Sequence, residues 1–278
     1  MKIRSITVGI DPGRPLKNRR IEKAGRFAVA IGRICEEEGL EVQTRRLCTP
    51  PLRRCVSGLE TKAVVQYGKD LEQICLENGF EYCAMGRIDI DRASELEVSR
   101  LVPELIGRTH SLFTSVAFTD ASENLSLQSA KTTADIIRKI STISPNGFDN
   151  LRFAAGIFIR PHTPFFPVAF HRGRAAYAIA LEAADVVTSA VTTTDARSRL
   201  VTGIRLALER RLKPLQVKLQ KFDEGRYRFA GFDLSPAPSP GADASIARAI
   251  EKISGVPFGM PGTLAAASLV TTGVKTAS

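Results

Sequence analysis

The sequence predicts an α/β protein with a mainly parallel sheet, and three observations support that prediction. Short β-rich runs alternate with helical runs of about 10 to 20 residues, which is typical of right-handed βαβ crossovers. At 278 residues the chain is long enough for one domain of barrel size. Because no internal repeat, low-complexity tract or Pro/Ser linker divides it, residues 1–278 are predicted to form a single domain.

The first half of the chain contains five predicted strands with helices between them. The first strand is the alternating run KIRSITVGI, which ends at the turn signal DPG. Ser94 and Glu97 have the spacing of a capping box and mark the start of the third helix. The strands are predicted at 2–10, 40–49, 80–90, 110–119 and 150–160, and the other helices at 18–38, 58–78 and 126–143.

The second half is predicted to be mostly helical. The apolar run RGRAAYAIALEAADVVTSA favours one long helix over 172–190, and a second helix follows at 195–213. A sixth strand is predicted at 226–234, before helices at about 243–253 and 262–275. In folds of this kind, ligand sites form where the carboxyl ends of strands lead into helices.

Composition limits the partners of the chain. It is 44% apolar and 24% charged, and no apolar run approaches the ~20 residues that cross a bilayer, so we expect a cytoplasmic protein with no membrane partner. The net charge is +10, and the densest basic run lies at 197–228. Aromatic residues are scarce and no nucleic-acid motif is present. We therefore interpret the basic run as a solvated helix face or a site for small anions, and expect no nucleic-acid partner.

Neither the cysteines nor the acidic pairs indicate a metal. The five cysteines are an odd number without a Cys-x-x-Cys pair, which predicts free, buried thiols rather than disulfides or zinc ligands. Asp89 and Asp91 could offer oxygen ligands to Mg²⁺, but a turn ahead of the Ser94 cap is the favoured interpretation. No metal site is predicted, and the sequence indicates no particular cofactor.

The loop 160–172 has the most unusual composition in the chain. Two prolines and three phenylalanines stand between His162 and His171, and Arg160 and Arg172 flank them. A neutral imidazole at such a place acts as an acid or a base near pH 7. Two interpretations stay open, namely that the loop is the rim of a site or that it is an apolar plug at the end of the core.

Two further loops carry candidate ligand-binding groups. Asp233 ends the sixth predicted strand, and Ser235 and Ser239 follow it among prolines, so that a stiff loop holds polar groups in place. Gly262 and Thr263 begin the last helix, whose free N–H groups suit phosphate or carboxylate. The alternatives are a tight turn before a capped helix and an ordinary glycine-rich helix start.

Three segments in this order, TPFFPVAFHRG, GFDLSPAPSPGADASIARAIE and GMPGTLAAASLV, stand behind an N-terminal IRSITVGI. Together they resemble an uncharacterised family of the pyruvate formate-lyase-like superfamily, most specifically over 233–240. The resemblance implies a parallel-stranded barrel, or half-barrel, with outer helices, and it implies no established reaction. Members of that family continue past the Gly-Thr helix start, so we expect a chain truncated at its C-terminus. The segment SAVTTTDARSRL replaces the family's Gly-rich stretch, which puts a phosphate cradle there in doubt.

We predict an enzyme that acts on a small anionic metabolite by acid–base chemistry. In this hypothesis the catalytic residues His171 and Asp233 face one pocket at the same edge of the sheet. The Asp233 carboxylate would then raise the pKa of His171. Residues predicted to bind the substrate are Arg160, His162, Arg172, Ser235, Ser239, Gly262 and Thr263.

The alternative is a non-catalytic binding or assembly protein whose aromatic loop forms an interface. Phe165, Phe166 and Phe170 exposed without convergent polar groups would favour that alternative. In either case, a truncated barrel would leave an uncovered sheet edge, so we expect a homo-oligomer.

Overall fold

The computed structural model describes residues 1–90, 95–118, 124–193, 197–222, 226–237 and 245–277. Within them the chain forms one seven-stranded sheet and nine α-helices, with a 3-10 helix before β5. The strands are β1 (Lys2–Gly9), β2 (Arg45–Cys48), β3 (Tyr82–Asp89), β4 (Leu112–Ala117), β5 (Phe153–Gly156), β6 (Ala176–Glu182) and β7 (Arg228–Asp233). The helices are α1 (Asn18–Glu37), α2 (Leu52–Val56), α3 (Thr61–Glu77), α4 (Glu95–Gly107), α5 (Leu127–Ile140), α6 (Ala184–Thr193), α7 (Arg197–Phe222), α8 (Ile246–Ser254) and α9 (Thr263–Lys275).

The sheet is mixed and open. Its strand order is β5-β4-β3-β2-β1-β6-β7, and β1 to β5 are parallel to one another. β6 is antiparallel to β1 and parallel to β7, so the last two strands run opposite to the first five. Since β5 and β7 are edge strands, the part of the chain that the structure describes contains an open, mostly parallel α/β sheet, and the expected barrel or half-barrel is not confirmed.

The helices cover one face of the sheet. Large apolar side chains such as Ile6, Leu47 and Ile179 alternate toward this face. They form one continuous core with the buried side chains of all nine described helices. This core contains most of the buried apolar surface, which is the main favourable contribution to folding.

The opposite face, which we call the open face, has small and polar side chains. No described helix contributes a residue to the apolar clusters on it. Small side chains let a covering segment approach the strands closely. Across its middle, Ser5, Thr7 and Gly9 of β1 lie beside Ala180, Ala178 and Ala176 of β6.

Residues 157–171, which we call the covering segment, lie across the open face. The Thr7 hydroxyl donates a hydrogen bond to the Pro164 carbonyl at 3.2 Å, which attaches the segment to β1. Phe166 and Phe170 are buried against the strands, whereas Phe165 is 54% exposed. The strand residues that cluster with the two buried rings are Cys48, Ala84, Phe113 and Ala117, and Ile159 of the segment itself joins them.

The predicted helix over 172–190 was wrong. Residues of this run form β6 and then α6, with β6 buried between β1 and β7. The six strands predicted elsewhere are confirmed as β1 to β5 and β7, with shorter bounds. The helix predicted at 58–78 is present as α3, with the short α2 before it.

The basic run 197–228 forms α7 and the start of β7. Leu208, Leu215 and Leu219 of α7 are fully buried, and its charged residues make contacts such as Lys218 with Glu38 at 2.6 Å. The basic residues therefore lie on the outer side of a core helix, as the sequence indicated. Among the described helices, none combines the length and apolar character needed to cross a membrane.

Candidate functional site

A cavity of about 680 Å³ lies between the covering segment and the outer strands β6 and β7. Its floor on the open face includes Ala178, whose small side chain leaves room above the sheet. The charged and polar groups on its wall come from two segments far apart in sequence. They are Arg160, His162, Thr163, Arg228, Asp233 and Ser235.

His162 is held toward the cavity by the backbone of the covering segment. Its φ of 67° lies in the left-handed region, and its amide donates to the Phe170 carbonyl at 3.0 Å. The pKa of His162 is lowered, chiefly by burial and secondly by the positive charge of Arg228. A hydrogen bond with the Arg172 backbone opposes these two effects. The ring is therefore neutral at pH 7 and available to accept a proton.

Asp233 ends β7 and is half-buried at the same cavity. Its Oδ1 accepts hydrogen bonds from the Ser235 amide at 3.0 Å and the Ser235 hydroxyl at 2.6 Å. These bonds hold the carboxylate within its own turn, in line with the stiff loop that the sequence predicts. Ser239 lies outside the described residues.

His171 is buried beside β1 and does not line the cavity. The residue is 1% exposed, its Nε2 donates to the Gly173 carbonyl at 2.9 Å, and its amide donates to the Thr49 carbonyl at 2.8 Å. Its Nδ1 is buried without a hydrogen-bond partner, next to Gly9. Ring centroids of His162 and His171 are 5.6 Å apart, edge to face, so the two imidazoles are in contact.

We expected His171 and Asp233 to lie together at one edge of the sheet, but the structure places them at opposite edges. β7 runs opposite to β1, so its carboxyl end lies at the opposite edge from the Gly9 end of β1. Asp233 is paired with Ala180, four residues beyond Ala176 and roughly 13 Å along β6.

The predicted rise in the pKa of His171 was also wrong. Its pKa is lowered instead, chiefly by burial; the charge of Arg54, and that of His162 when it is protonated, act in the same direction. The carboxylate that acts on it is Asp11, which opposes this shift, as does the bond to the Gly173 carbonyl. Asp11 follows β1 in the DPG turn, and its position at a strand carboxyl end was the signal that could have identified it.

Arg228 is the other functional candidate that the sequence did not single out. It begins β7 opposite Ala176 and faces the cavity with Arg160. An arginine at the start of a strand carries no distinguishing sequence signal, because its proximity to His162 depends on the pairing of β6 with β7.

The remaining predicted binding residues lie elsewhere. Arg172 is exposed and does not line the cavity. Gly262, with φ of 106°, precedes α9, and the Thr263 hydroxyl donates to the Met260 carbonyl at 2.8 Å and accepts from the Gly259 amide at 3.0 Å. The structure therefore gives this helix start local bonds and does not bring it into the cavity. Asp91 lies outside the described residues.

The cysteines take no part in this site. All five are free and buried, as predicted. Burial raises the pKa of Cys48 to about 12 and that of Cys35 to about 12. Such thiols stay protonated at neutral pH and are poor nucleophiles. Asp89, which the sequence offered as a possible Mg²⁺ ligand, forms an ion pair with Arg87 at 3.1 Å.

Comparison with known proteins gives a match over the whole chain. Residues 1–278 match the family described as "Uncharacterised ACR (DUF711)". A UPF0210 protein of Clostridium acetobutylicum is 24% identical over 310 residues, covering 99% of this chain and 66% of the relative. A UPF0210 protein of Methanopyrus kandleri is 24% identical over 305 residues with the same coverage, and one of Oenococcus oeni is 21% identical over 299 residues. The chain spans about two thirds of the length of these relatives, 65% or 66% in each case.

Proposed function

The chain belongs to the DUF711 family of uncharacterised proteins, and we propose that its cavity over β6 and β7 binds a small anionic metabolite for acid–base chemistry. One observation carries the proposal. Two arginines, Arg160 and Arg228, meet His162 and one carboxylate, Asp233, around a cavity of about 680 Å³. The two cations outnumber the one acidic group, so the cavity favours an anionic ligand.

The proposed proton-transfer groups are His162 and Asp233. Both line the cavity, whereas the predicted catalytic residue His171 is buried and does not line it. Neutral His162 accepts a proton from the ligand, and an anion near Arg228 would reduce the repulsion that this cation exerts on the imidazolium. His171 is a positioning residue in this proposal, since its ring packs edge to face with His162.

The remaining cavity groups would orient the ligand. Arg160 and Arg228 would bind its carboxylate or phosphate group, for which the planar guanidinium is suited. Ser235, whose hydroxyl donates to the Asp233 carboxylate at 2.6 Å, lies at the rim of the cavity. The proposal covers the class of ligand and the proton transfer, and it leaves the whole protein's substrate open.

The non-catalytic alternative receives less support from the aromatic loop. Of the three phenylalanines that an interface would expose, Phe166 and Phe170 are 7% and 3% exposed, and only Phe165 is open. Polar groups also converge beside them. The loop is therefore a plug over β2 to β4 and a rim over β6 and β7. Self-association and a cytoplasmic location remain part of the proposal.

Calorimetric titration with succinate and with inorganic phosphate tests the binding proposal. We expect the Arg228→Gln variant to bind the better of the two probes at least tenfold more weakly, since it loses a charge-assisted contact. Arg226→Gln is the matched control, because Arg226 lines a different cavity and the net charge changes equally. The imidazole NMR signals of His162 should shift on addition of the bound probe.

Either of two results would count against the cavity as a site. One is equal affinity of the Arg228→Gln and Arg226→Gln proteins for both probes. The other is a titration in which the His162 signals do not move although heat is released. Unchanged melting temperatures in both variants are needed to exclude a folding defect.

A further inference from the structure

Arg46 is an arginine on the open face outside the proposed cavity. It lies in β2 beside Thr7 of β1, and its guanidinium is 5.2 Å from the ring centre of Phe166 and 5.5 Å from that of Tyr82. Its Nε donates to the Thr44 hydroxyl at 2.9 Å. Two rings and one hydrogen bond therefore fix the plane of the guanidinium.

The described residues give Arg46 no acidic partner. Glu81, which directly precedes β3, is bound to Arg45 instead. The Arg45 amide and Nη2 donate to its carboxylate at 2.6 Å and 2.8 Å. The charged neighbour that acts most on Arg46 is a second cation, Arg4. Glu81 also acts on the charge of Arg46, but less than Arg4 does.

This arrangement is electrostatically unbalanced. Arg46 is half-buried, and burial followed by the charge of Arg4 lowers its pKa to about 10. Half-buried cations in proteins are usually paired, because burying a charge without a partner is costly. The terminal nitrogens of Arg46 have no hydrogen bond to a described residue, which leaves the fork that binds carboxylate or phosphate available.

The site is separate from the proposed cavity. The covering segment crosses β1 where Thr7 binds the Pro164 carbonyl. Phe165 lines the cavity on the β6 side of this crossing, whereas Phe166 packs on the β2 side with Arg46. A ligand at Arg46 therefore meets a different set of side chains.

We propose that Arg46 and Arg4 form a second oxyanion site, which takes the carboxylate or phosphate group of a small ligand. The fixed guanidinium plane would bind two oxygens of the anion. Arg4 is exposed, and its carbonyl accepts from the same Thr44 hydroxyl to which Arg46 donates, so Arg4 would supply the second charge. The apolar rim from Tyr82 and Phe166 would shield the pair from water.

Calorimetry with acetate and with inorganic phosphate, each as the only added anion, tests this site and separates the two ligand types. The background protein is the Arg228→Gln variant, in which we expect binding at the cavity to be at least tenfold weaker. In that background Arg46→Gln should weaken binding about tenfold or more, and Arg46→Lys should weaken it partly, because lysine keeps the charge but not the fork.

Arg45→Gln is the matched control, since it removes an adjacent arginine that already has a carboxylate partner. It should lower the affinity far less than Arg46→Gln does, although it leaves the Glu81 carboxylate without its partner. Equal losses in the Arg45 and Arg46 variants, or no measurable binding of either anion by the Arg228→Gln background, would overturn the proposal. If Arg46→Gln loses binding and also melts at a lower temperature, the Arg46→Lys variant separates the two effects. The proposal then requires Arg46→Lys to bind more weakly while its melting temperature stays normal.

Discussion

At the scale of single residues, Gly9 decides whether His171 fits against the sheet. A Cβ at this position would lie 2.9 Å from the His171 Nδ1 and 3.2 Å from its Cβ and Cγ. Neither the strand backbone nor a ring fixed by the Gly173 carbonyl has room to move away freely. The absence of a side chain at Gly9 is therefore what allows a buried imidazole against β1.

We expect Gly9→Ala to lower the free energy of unfolding by roughly 1–3 kcal/mol, the usual cost of overpacking. Gly32→Ala in α1 is the control, because its Cβ would have the Ile6 Cδ1 at 3.9 Å as its nearest neighbour and alanine favours a helix. Urea unfolding curves measure both. A Gly9→Ala protein as stable as the wild type would show that the ring is not packed on Gly9.

His171 also makes stability depend on pH. Its folded-state pKa lies below the ordinary value of 6.5, with burial as the largest cause. Protonation would place a new N–H at Nδ1, which has no buried acceptor. Because the unfolded chain binds this proton more readily, the free energy of unfolding should be constant above about pH 7 and fall as the pH drops through 6.5 toward the lowered pKa.

Urea unfolding at pH 7.5 and pH 5.0 tests this dependence. The His171→Gln protein should lose less stability between these two values than the wild type, whatever its stability at pH 7.5. His162→Gln provides the comparison, since the pKa of His162 is lowered too but its ring is more exposed. An equal pH dependence in His171→Gln and wild type would rule out a neutral, buried His171.

At the scale of elements, β6 shows which parts of the fold the sequence predicts and which it does not. Strands with a clear alternation or a bounded apolar run, such as β1 and β3, were predicted because their apolar residues face the helical core on one side only. β6 is buried on both faces, with alanines toward the open face and Tyr177, Ile179 and Leu181 toward the helices. An apolar run of this kind lacks polar positions, so its period of two is hidden and it resembles a helix.

One misassigned strand changed the predicted geometry of the site. With β6 taken as a helix, β7 would follow β5 by a parallel crossover. Asp233 would then lie at the same edge of the sheet as Gly9 and His171. The actual antiparallel step from β1 to β6 reverses β7. Four residues named from the sequence, Arg160, His162, Asp233 and Ser235, lie together at the cavity, and their roles there stay predictions. Arg228 and the burial of His171 depend on strand pairing, which a single sequence does not show.

At the scale of the whole molecule, the two faces of the sheet differ in how they are covered. All nine described helices share one core on one face, whereas the open face has two small apolar clusters under the covering segment. Few buried contacts therefore hold the segment that carries Arg160, His162 and His171. A site attached in this way lies on a part of the molecule that opens more easily than the rest.

Hydrogen exchange measures this difference directly. The amides of His162 and His171 are bonded to the Phe170 and Thr49 carbonyls, and the amide of Ile6 is bonded to the Thr44 carbonyl within the sheet. We expect the first two amides to exchange through local opening, at a free energy at least ~2 kcal/mol below that of Ile6, which should report global unfolding. The reason is that opening the covering segment exposes only the two small clusters.

Two core substitutions distinguish local from global opening. Phe166→Ala removes the largest contact of the segment and should lower the opening free energy of the His162 and His171 amides, since a lost buried ring costs roughly 3–5 kcal/mol. Leu208→Ala in α7, a fully buried residue on the helical face, should lower protection at Ile6 and leave those two amides nearly unchanged. If Leu208→Ala lowers all three equally, the covering segment unfolds only with the whole molecule, and the cavity is as rigid as the sheet beneath it.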